Sequence, residues 1–160
     1  MGVKLGLDSK LFYSTTGIGG NPTWLPVATA REVNVPSQKG EADVSTRGGS
    51  GWKATVGALK DARLEFELVY DSADAACEAL LVAFLSDATI GLAAADGPMM
   101  PDGHEIRTHY FMADCVITKF DRKEPLEQAV TISVTAKPTY SANPPCYGEF
   151  RSHPAPPPIP

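Results

Sequence analysis

At 160 residues the chain has the length of one domain with a real core, and its 43% hydrophobic and 21% charged fractions are those of an ordinary globular protein. A formal net charge of −5, with no run of three basic residues, argues against a nucleic-acid-coating surface, which needs clustered Lys and Arg. No apolar stretch is long enough to span a bilayer and no signal-peptide core opens the sequence, so a cytoplasmic protein with no membrane anchor is expected.

In chain order, VKLGLD (Val3 to Asp8) alternates weakly and predicts a short strand, and GIGGNPT (Gly17 to Thr23) is a turn-rich loop. WLPVATAREVNV (Trp24 to Val35) alternates through Val27, Thr29, Arg31, Val33 and Val35, which predicts a strand whose start Pro26 restricts. From Pro36 to Gly51 the sequence has almost no apolar content. A loop of that length inside a compact domain is usually functional or disordered. Leu64, Phe66, Leu68 and Tyr70 then face one way while Arg63, Glu65 and Glu67 face the other, a period-two strand half covered by a core.

SADAACEALLVAFLSD predicts one helix, with Ser72 as its cap and Asp74 in its first turn, because Ala73, Ala76, Cys77, Leu80, Leu81, Phe84 and Leu85 recur at helical spacing. Thr89 to Asp96 resumes a strand, and DGPMMPDG is a turn. His104 to Arg122 carries apolar residues on both parities, so this strand is covered on both faces for part of its length or contains a bulge. Leu126 to Ala136 alternates again, through Val130, Ile132, Val134 and Ala136. Beyond Lys137 lie eight of the 14 prolines, a composition that predicts an extended or disordered tail rather than sheet. With one helix among strands and no βαβ alternation, the fold class is mostly β, an antiparallel sandwich or barrel with one flanking α-helix.

The chemistry-bearing patterns fail on their details. GGSGWKAT lacks the G-x-x-x-x-G-K-[ST] spacing of a phosphate loop and precedes a strand instead of a helix. HEIRTH separates His104 and His109 by five residues, which places them on opposite faces of a strand, and DGPMMPDG lacks the other ligands of a calcium loop. Glu65 and Glu67 share one strand face, but a catalytic pair needs one acid desolvated, and no GxSxG elbow is present. Cys77, Cys115 and Cys146, odd in number and widely spaced, suit buried thiols rather than disulfides or a zinc site. No enzymatic activity and no cofactor are expected.

EADVSTRGGSGWKATVGALKDARLEFELVYDSAD resembles the central region of tail tube proteins, the major tail proteins of long-tailed phages. The matching positions are Glu41, Asp43, Ser45, Thr46, Arg47, Gly51, Trp52, Leu59, Leu64, Phe66, Leu68, Val69, Tyr70 and Asp71, and VTISVTAKPTY (Val130 to Tyr140) is similar to the family's last sheet strand and exit. The resemblance runs from about Val27 to Tyr140. It implies a tail-tube-like β domain over residues 1–137, with 36–51 as a mobile assembly loop and 138–160 as a proline-rich extension. The type VI secretion tube proteins belong to the same structural group.

The resemblance further implies a structural subunit of a phage or prophage, assembled in the host cytoplasm into the virion tail. Six copies would form a ring, and rings would stack into a conduit through which DNA passes without specific binding. The partners would be further copies of the chain and other tail proteins. Glu41, Asp43, Ser45, Thr46, Arg47, Gly51 and Trp52 are then the expected assembly interface, with Trp52 packed on the domain as the anchor of the loop. Glu65 and Glu67 become lumen-facing acids if their strand face lines the tube, where negative charge would let DNA slide. A small β-barrel ligand-binding protein is the alternative; it requires an interior pocket and an ordered 36–51 loop on a stable monomer.

Overall fold

The computed structural model describes residues 3, 5–6, 9–20, 22–99 and 106–152. His104, the second half of the DGPMMPDG turn (100–103) and residues 153–160 of the tail lie outside the described residues.

An antiparallel eight-stranded sheet forms the domain, in the order β2-β1-β7-β8-β9-β6-β3, with β10 also pairing with β8. The strands are β1 (Lys10–Ser14), β2 (Leu25–Pro26), β3 (Ala30–Asn34), β6 (Leu64–Val69), β7 (Ile90–Ala95), β8 (Ile106–Lys123), β9 (Thr131–Pro138) and β10 (Cys146–Ser152). A separate two-stranded sheet pairs β4 (Ser37–Asp43) with β5 (Thr55–Ala62). The end strands β2 and β3 are joined only by residues 27–29, so the sheet must fold over until its two ends meet. Val27 marks that corner: its N–H donates to the Leu11 carbonyl and its carbonyl accepts from Ala30. No ladder joins β2 to β3 among the described residues, which leaves a sandwich rather than a closed barrel.

Alternation dictates which residues the sandwich encloses. Leu64, Phe66 and Leu68 of β6 and Ile132, Val134 and Ala136 of β9 point inward, together with Leu92, Phe111, Ala113 and Cys115. Helix α1 (Ala75–Ser86) covers this face with Ala76, Cys77, Leu80 and Ala83, and Phe84 stacks on Phe120 with ring centroids 5.9 Å apart. The helix begins later than expected. The Asp71 side chain accepts from Ala73 in a preceding turn, so Asp74 is the cap, accepting from the Ala76 N–H and the Thr29 hydroxyl. At the other end Asp87 stops the helix with a left-handed φ of 55°.

A second apolar cluster lies on the outer face of β1, β7 and β8, where Phe12, Ala93 and Ala95 meet Ile18, Trp24 and Met99. The buried Asp114 carboxylate fastens this layer, accepting from the Ile18 N–H at 2.8 Å and from the Ser141 hydroxyl at 2.6 Å. The Gly17 turn has φ +84° and lies so close to β7 that a Cβ on Gly91 would stand 2.9 Å from the Gly17 carbonyl carbon. Glycine is therefore required on both sides of that contact. Cover on both faces also explains the first described strand: Leu11, Phe12 and Tyr13 are all buried, and β1 forms there. The strand expected at Val3 to Asp8 lies partly outside the described residues, and its described positions 3, 5 and 6 are not strand.

Other expectations divide by whether the core was visible in them. The two reasons offered for the mixed parity of β8 both apply, since it is covered on both faces near Ala113 and Asp114 and its register shifts between Ile117 and Lys119. The single strand expected over Trp24 to Val35 is instead β2 and β3, on opposite ends of the sheet. The tail does continue the sheet: β10 pairs with residues 106–112 of β8, correcting the expectation of an irregular extension. The physical reason is local, because residues 146–153 contain no proline and keep every N–H for a ladder.

The helix orientation carries a direct test. Leu80→Ala should cost about 2–5 kcal/mol in chemical denaturation, as for a buried leucine, whereas Leu85→Ala should change stability by less than about 0.5 kcal/mol. Equal losses from the two substitutions would contradict the orientation.

Candidate functional site

The segment from Pro36 to Gly51 holds a strand, β4, and the turn that follows it. β4 and β5 form a hairpin arm in which Ser37 faces Ala62 and Asp43 faces Thr55, with a register shift between Lys39 and Glu41. Sequence reading missed this because neither strand meets the core: every residue of β4 and all but the last of β5 are exposed. An element that buries nothing leaves no period-two core signal to find.

The arm has two faces nonetheless. Paired residues of an antiparallel ladder share a side, so the Ala42–Val56 pair sets one face, and Gly40, Val44, Ala54 and Ala58 join it. The opposite face presents Lys39, Glu41, Asp43, Lys53 and Thr55. One side of the arm is thus apolar and the other charged, although no residue from 37 to 61 belongs to either core cluster.

Residues expected at the assembly interface mostly build the tip. The Asp43 carboxylate accepts from the Ser45 N–H at 2.9 Å, and the Ser45 hydroxyl oxygen accepts from the Ala54 N–H at 2.8 Å. Asp43 also lies 4.0 Å from the Lys53 ammonium. Thr46 precedes a short 3-10 turn over Arg47–Gly49, its carbonyl accepting from the Gly49 N–H, and the Gly49 carbonyl accepts from Trp52. Ser50 and Gly51 both adopt positive φ, 55° and 83°, which reverses the chain and aims Trp52 away from the domain. Trp52 is 82% exposed, so its expected role as an anchor packed on the domain is wrong. Leu59, toward the base of the arm, is 88% exposed.

At its base the arm is fastened. The Pro36 carbonyl accepts from the Arg63 N–H, and the Ser37 hydroxyl lies 3.0 Å from the Tyr147 hydroxyl on β10. Tyr147 itself tilts against Phe111, with centroids 4.8 Å apart, so the arm is tied through β10 to the sandwich.

Glu65 and Glu67 point out of β6, opposite the core, in register with Thr135 and Ser133 of β9. Each has its own cation: Glu65 lies 2.5 Å from the Arg63 guanidinium and Glu67 3.7 Å from that of Arg31. The same face carries Lys119, Asp121 and Lys123 of β8. It is therefore a charge mosaic close to neutrality, not an uncompensated acidic sheet.

His109 pairs with Asp96 at 3.7 Å, far from Glu65 and Glu67 in the sheet order. Among the described residues no group of three or more His, Cys, Asp and Glu could hold a metal ion, and no helix is long and apolar enough to cross a membrane. Burial raises the thiol pKa of Cys115 to about 12 and also raises that of Cys77, as for packing thiols rather than nucleophiles.

An antiparallel sandwich with one flanking helix and a projecting hairpin is a class of fold with solved counterparts. No family model and no curated protein matches the chain. Among solved structures, a protein from the C6-symmetric tail of an empty gene transfer agent particle is 17% identical, with a TM-score of 0.65 over 87% of this chain and 96% of its own. A chain of the native gene transfer agent virion is 14% identical, with a TM-score of 0.65 over 94% of this chain and 99% of its own. The SPP1 tail tube protein is 14% identical, with a TM-score of 0.64 over 94% of this chain and 80% of its own. The chain has the tail-tube fold.

The tip geometry fixes a titration. Hydrogen bonds from the Ser45 side chain and backbone hold the Asp43 pKa below its ordinary value. The contribution of these bonds is present above the unfolded carboxylate pKa and is lost as pH falls through the lowered folded value. Carboxyl NMR should find Asp43 titrating below the usual aspartate range, and Ser45→Ala should move it upward. No movement would mean that Ser45 does not close the tip.

Proposed function

We propose that the chain is a structural subunit of a phage or prophage tail tube, forming stacked hexameric rings that make a conduit for DNA. The observation that carries this reading is an arm whose apolar face meets neither core cluster among the described residues, on a fold shared with tail proteins over most of the chain. A two-stranded hairpin is at best marginal in water, and an exposed apolar sheet face is a liability unless another surface covers it. Docking on another copy supplies that cover and generates a heterologous contact, the kind that propagates into rings and filaments. The C6 symmetry of one neighbour's tail is consistent with six copies per ring. On this reading the protein has no catalytic role, and it reaches its place in the virion tail by assembly with itself and other tail proteins in the host cytoplasm.

The ligand-binding alternative needs an enclosed cavity. The space between sheet and helix is instead filled by Leu64, Leu68, Leu80 and Leu92, all with 0% exposure. On the tube reading the outer face of β6 and β9 lines the lumen. Its paired charges present DNA with neither a strong attractive nor a strong repulsive field, which allows sliding.

Replacing residues 40–57 with Asn-Gly keeps the hairpin base and removes its faces. This variant should unfold as cooperatively as the parent yet remain a monomer by sedimentation at concentrations where the parent polymerises. Normal polymers from it would contradict the role of the arm. In assembled tubes, Glu65→Gln with Glu67→Gln should leave assembly intact but release Arg63 and Arg31, giving DNA retention that weakens as salt rises. Tubes that retain no DNA at low salt would count against a lumenal position.

A further inference from the structure

Helix α1 is apolar nearly all round, with Glu78 as the sole charged residue of AACEALLVAFLS. Such a helix is normally buried on every side. Here Ala76, Cys77, Leu80 and Ala83 are buried in the core and Ala79 and Phe84 pack against it, while Val82 is 55% and Leu85 71% exposed, with Leu81 beside them. Between this exposed stripe and the start of β7 lies an open cleft of about 340 Å³, lined by Ala79, Val82, Ala83, Thr89 and Ile90. Its size is at the lower end for pockets that accept a small ligand or one large side chain.

Two apolar surfaces of this chain therefore stand uncovered, the helix stripe and the arm, and their flanking charges are opposite. The arm tip over residues 43–54 carries Arg47 and Lys53 against one acid, Asp43, which lies 4.0 Å from the Lys53 ammonium, so the tip keeps a net positive charge. The helix segment over residues 71–88 carries Asp71, Asp74, Glu78 and Asp87 with no base. Trp52 is exposed at the arm tip, next to Lys53 and five residues after Arg47, and tryptophan and arginine are the residues enriched among binding anchors.

We propose that the arm tip of one copy docks on helix α1 of a second copy, with Trp52 entering the cleft beside Val82 and with Arg47 and Lys53 facing Glu78 and Asp87. This rests on the tube reading and names the surface that receives the arm. The apolar face of the arm, Val44 and Val56, covers Leu81 and Leu85, so one contact removes both liabilities from water. The charge complement orients the approach and disfavours arm-to-arm pairing, where like tips would meet.

The test places p-benzoylphenylalanine at position 52, in place of Trp52, and irradiates a mixture of isotopically light and heavy full-length protein under assembly conditions. The expected result is a mixed light–heavy crosslink from position 52 to residues 79–90. A crosslink from position 52 to any other part of a second copy overturns the docking site and leaves the tube reading standing. Assembly without an intermolecular crosslink overturns the docking site as well, and an unmodified protein that never assembles overturns both.

Leu85→Lys supplies a second readout on an exposed position, where folding can be checked by an unchanged melting temperature. It should raise the concentration needed for assembly roughly 30-fold, the loss typical of a disrupted interface anchor. Assembly at the parent's concentration by a folded Leu85→Lys protein overturns the proposal without touching the tube reading.

Discussion

The 18 residues of β8 pair with three strands at once, β7 along one edge and β9 then β10 along the other. Its inner face supplies Phe111, Ala113, Cys115 and Ile117 to the main core, and its outer face supplies Met112 and Asp114 to the second layer. The sheet can fold over because the register of β8 shifts between Ile117 and Lys119, where a bulge adds bend and twist. Removing that spine would part the β1–β7 end from the β9–β6–β3 end and leave α1 without most of its floor. The arm depends on it indirectly, since β10 is held by β8 and Tyr147 of β10 meets Ser37 at the arm base.

From that frame the domain divides into a part that satisfies itself and a part that does not. The sandwich buries its apolar residues on both sides of β8, and no buried side-chain polar atom among the described residues lacks a partner. The hairpin from Ser37 to Ala62 and the outer stripe of α1 leave apolar surface in water. Under the proposed function these two features belong together, with the internal core setting the fold and the uncovered surfaces left for association. The intrachain pairs Arg63–Glu65 and Arg31–Glu67 complement this by leaving the outer face of β6 without unpaired acids.

How much of this was legible in the sequence follows from where a core leaves its mark. The β6 and β9 patterns and the α1 periodicity are readable because each buries one face against the same interior. Leu11 to Tyr13 hid β1, since burial on both faces erases alternation. The corner at Val27 hid the split between β2 and β3, because its turn runs through Ala28 and Thr29 rather than through a Gly, Pro or Asn dipeptide. The prolines of the tail masked β10, whose own residues contain none.

At the candidate site, the tip residues Asp43, Ser45, Thr46, Gly51 and Trp52 were legible through resemblance, but their architecture was not. Short alternations in EADVS and KATVGA, which place Ala42, Val44, Ala54, Val56 and Ala58 on one side, were the available signal for the hairpin and its apolar face. They are weak because an exposed arm has no fixed core to demand large residues. Trp52 was misplaced for the same reason: a large aromatic is normally largely buried, and here it stands exposed on an arm that meets neither core cluster.

The central claim is that the uncovered arm belongs to an assembly of identical copies. Electron microscopy with image reconstruction of the concentrated, unmodified protein tests it most directly. The account predicts stacked rings of six in which each β4–β5 hairpin is ordered against a different copy. Isolated monomers at high concentration, or tubes in which every hairpin lies against its own domain, would contradict it.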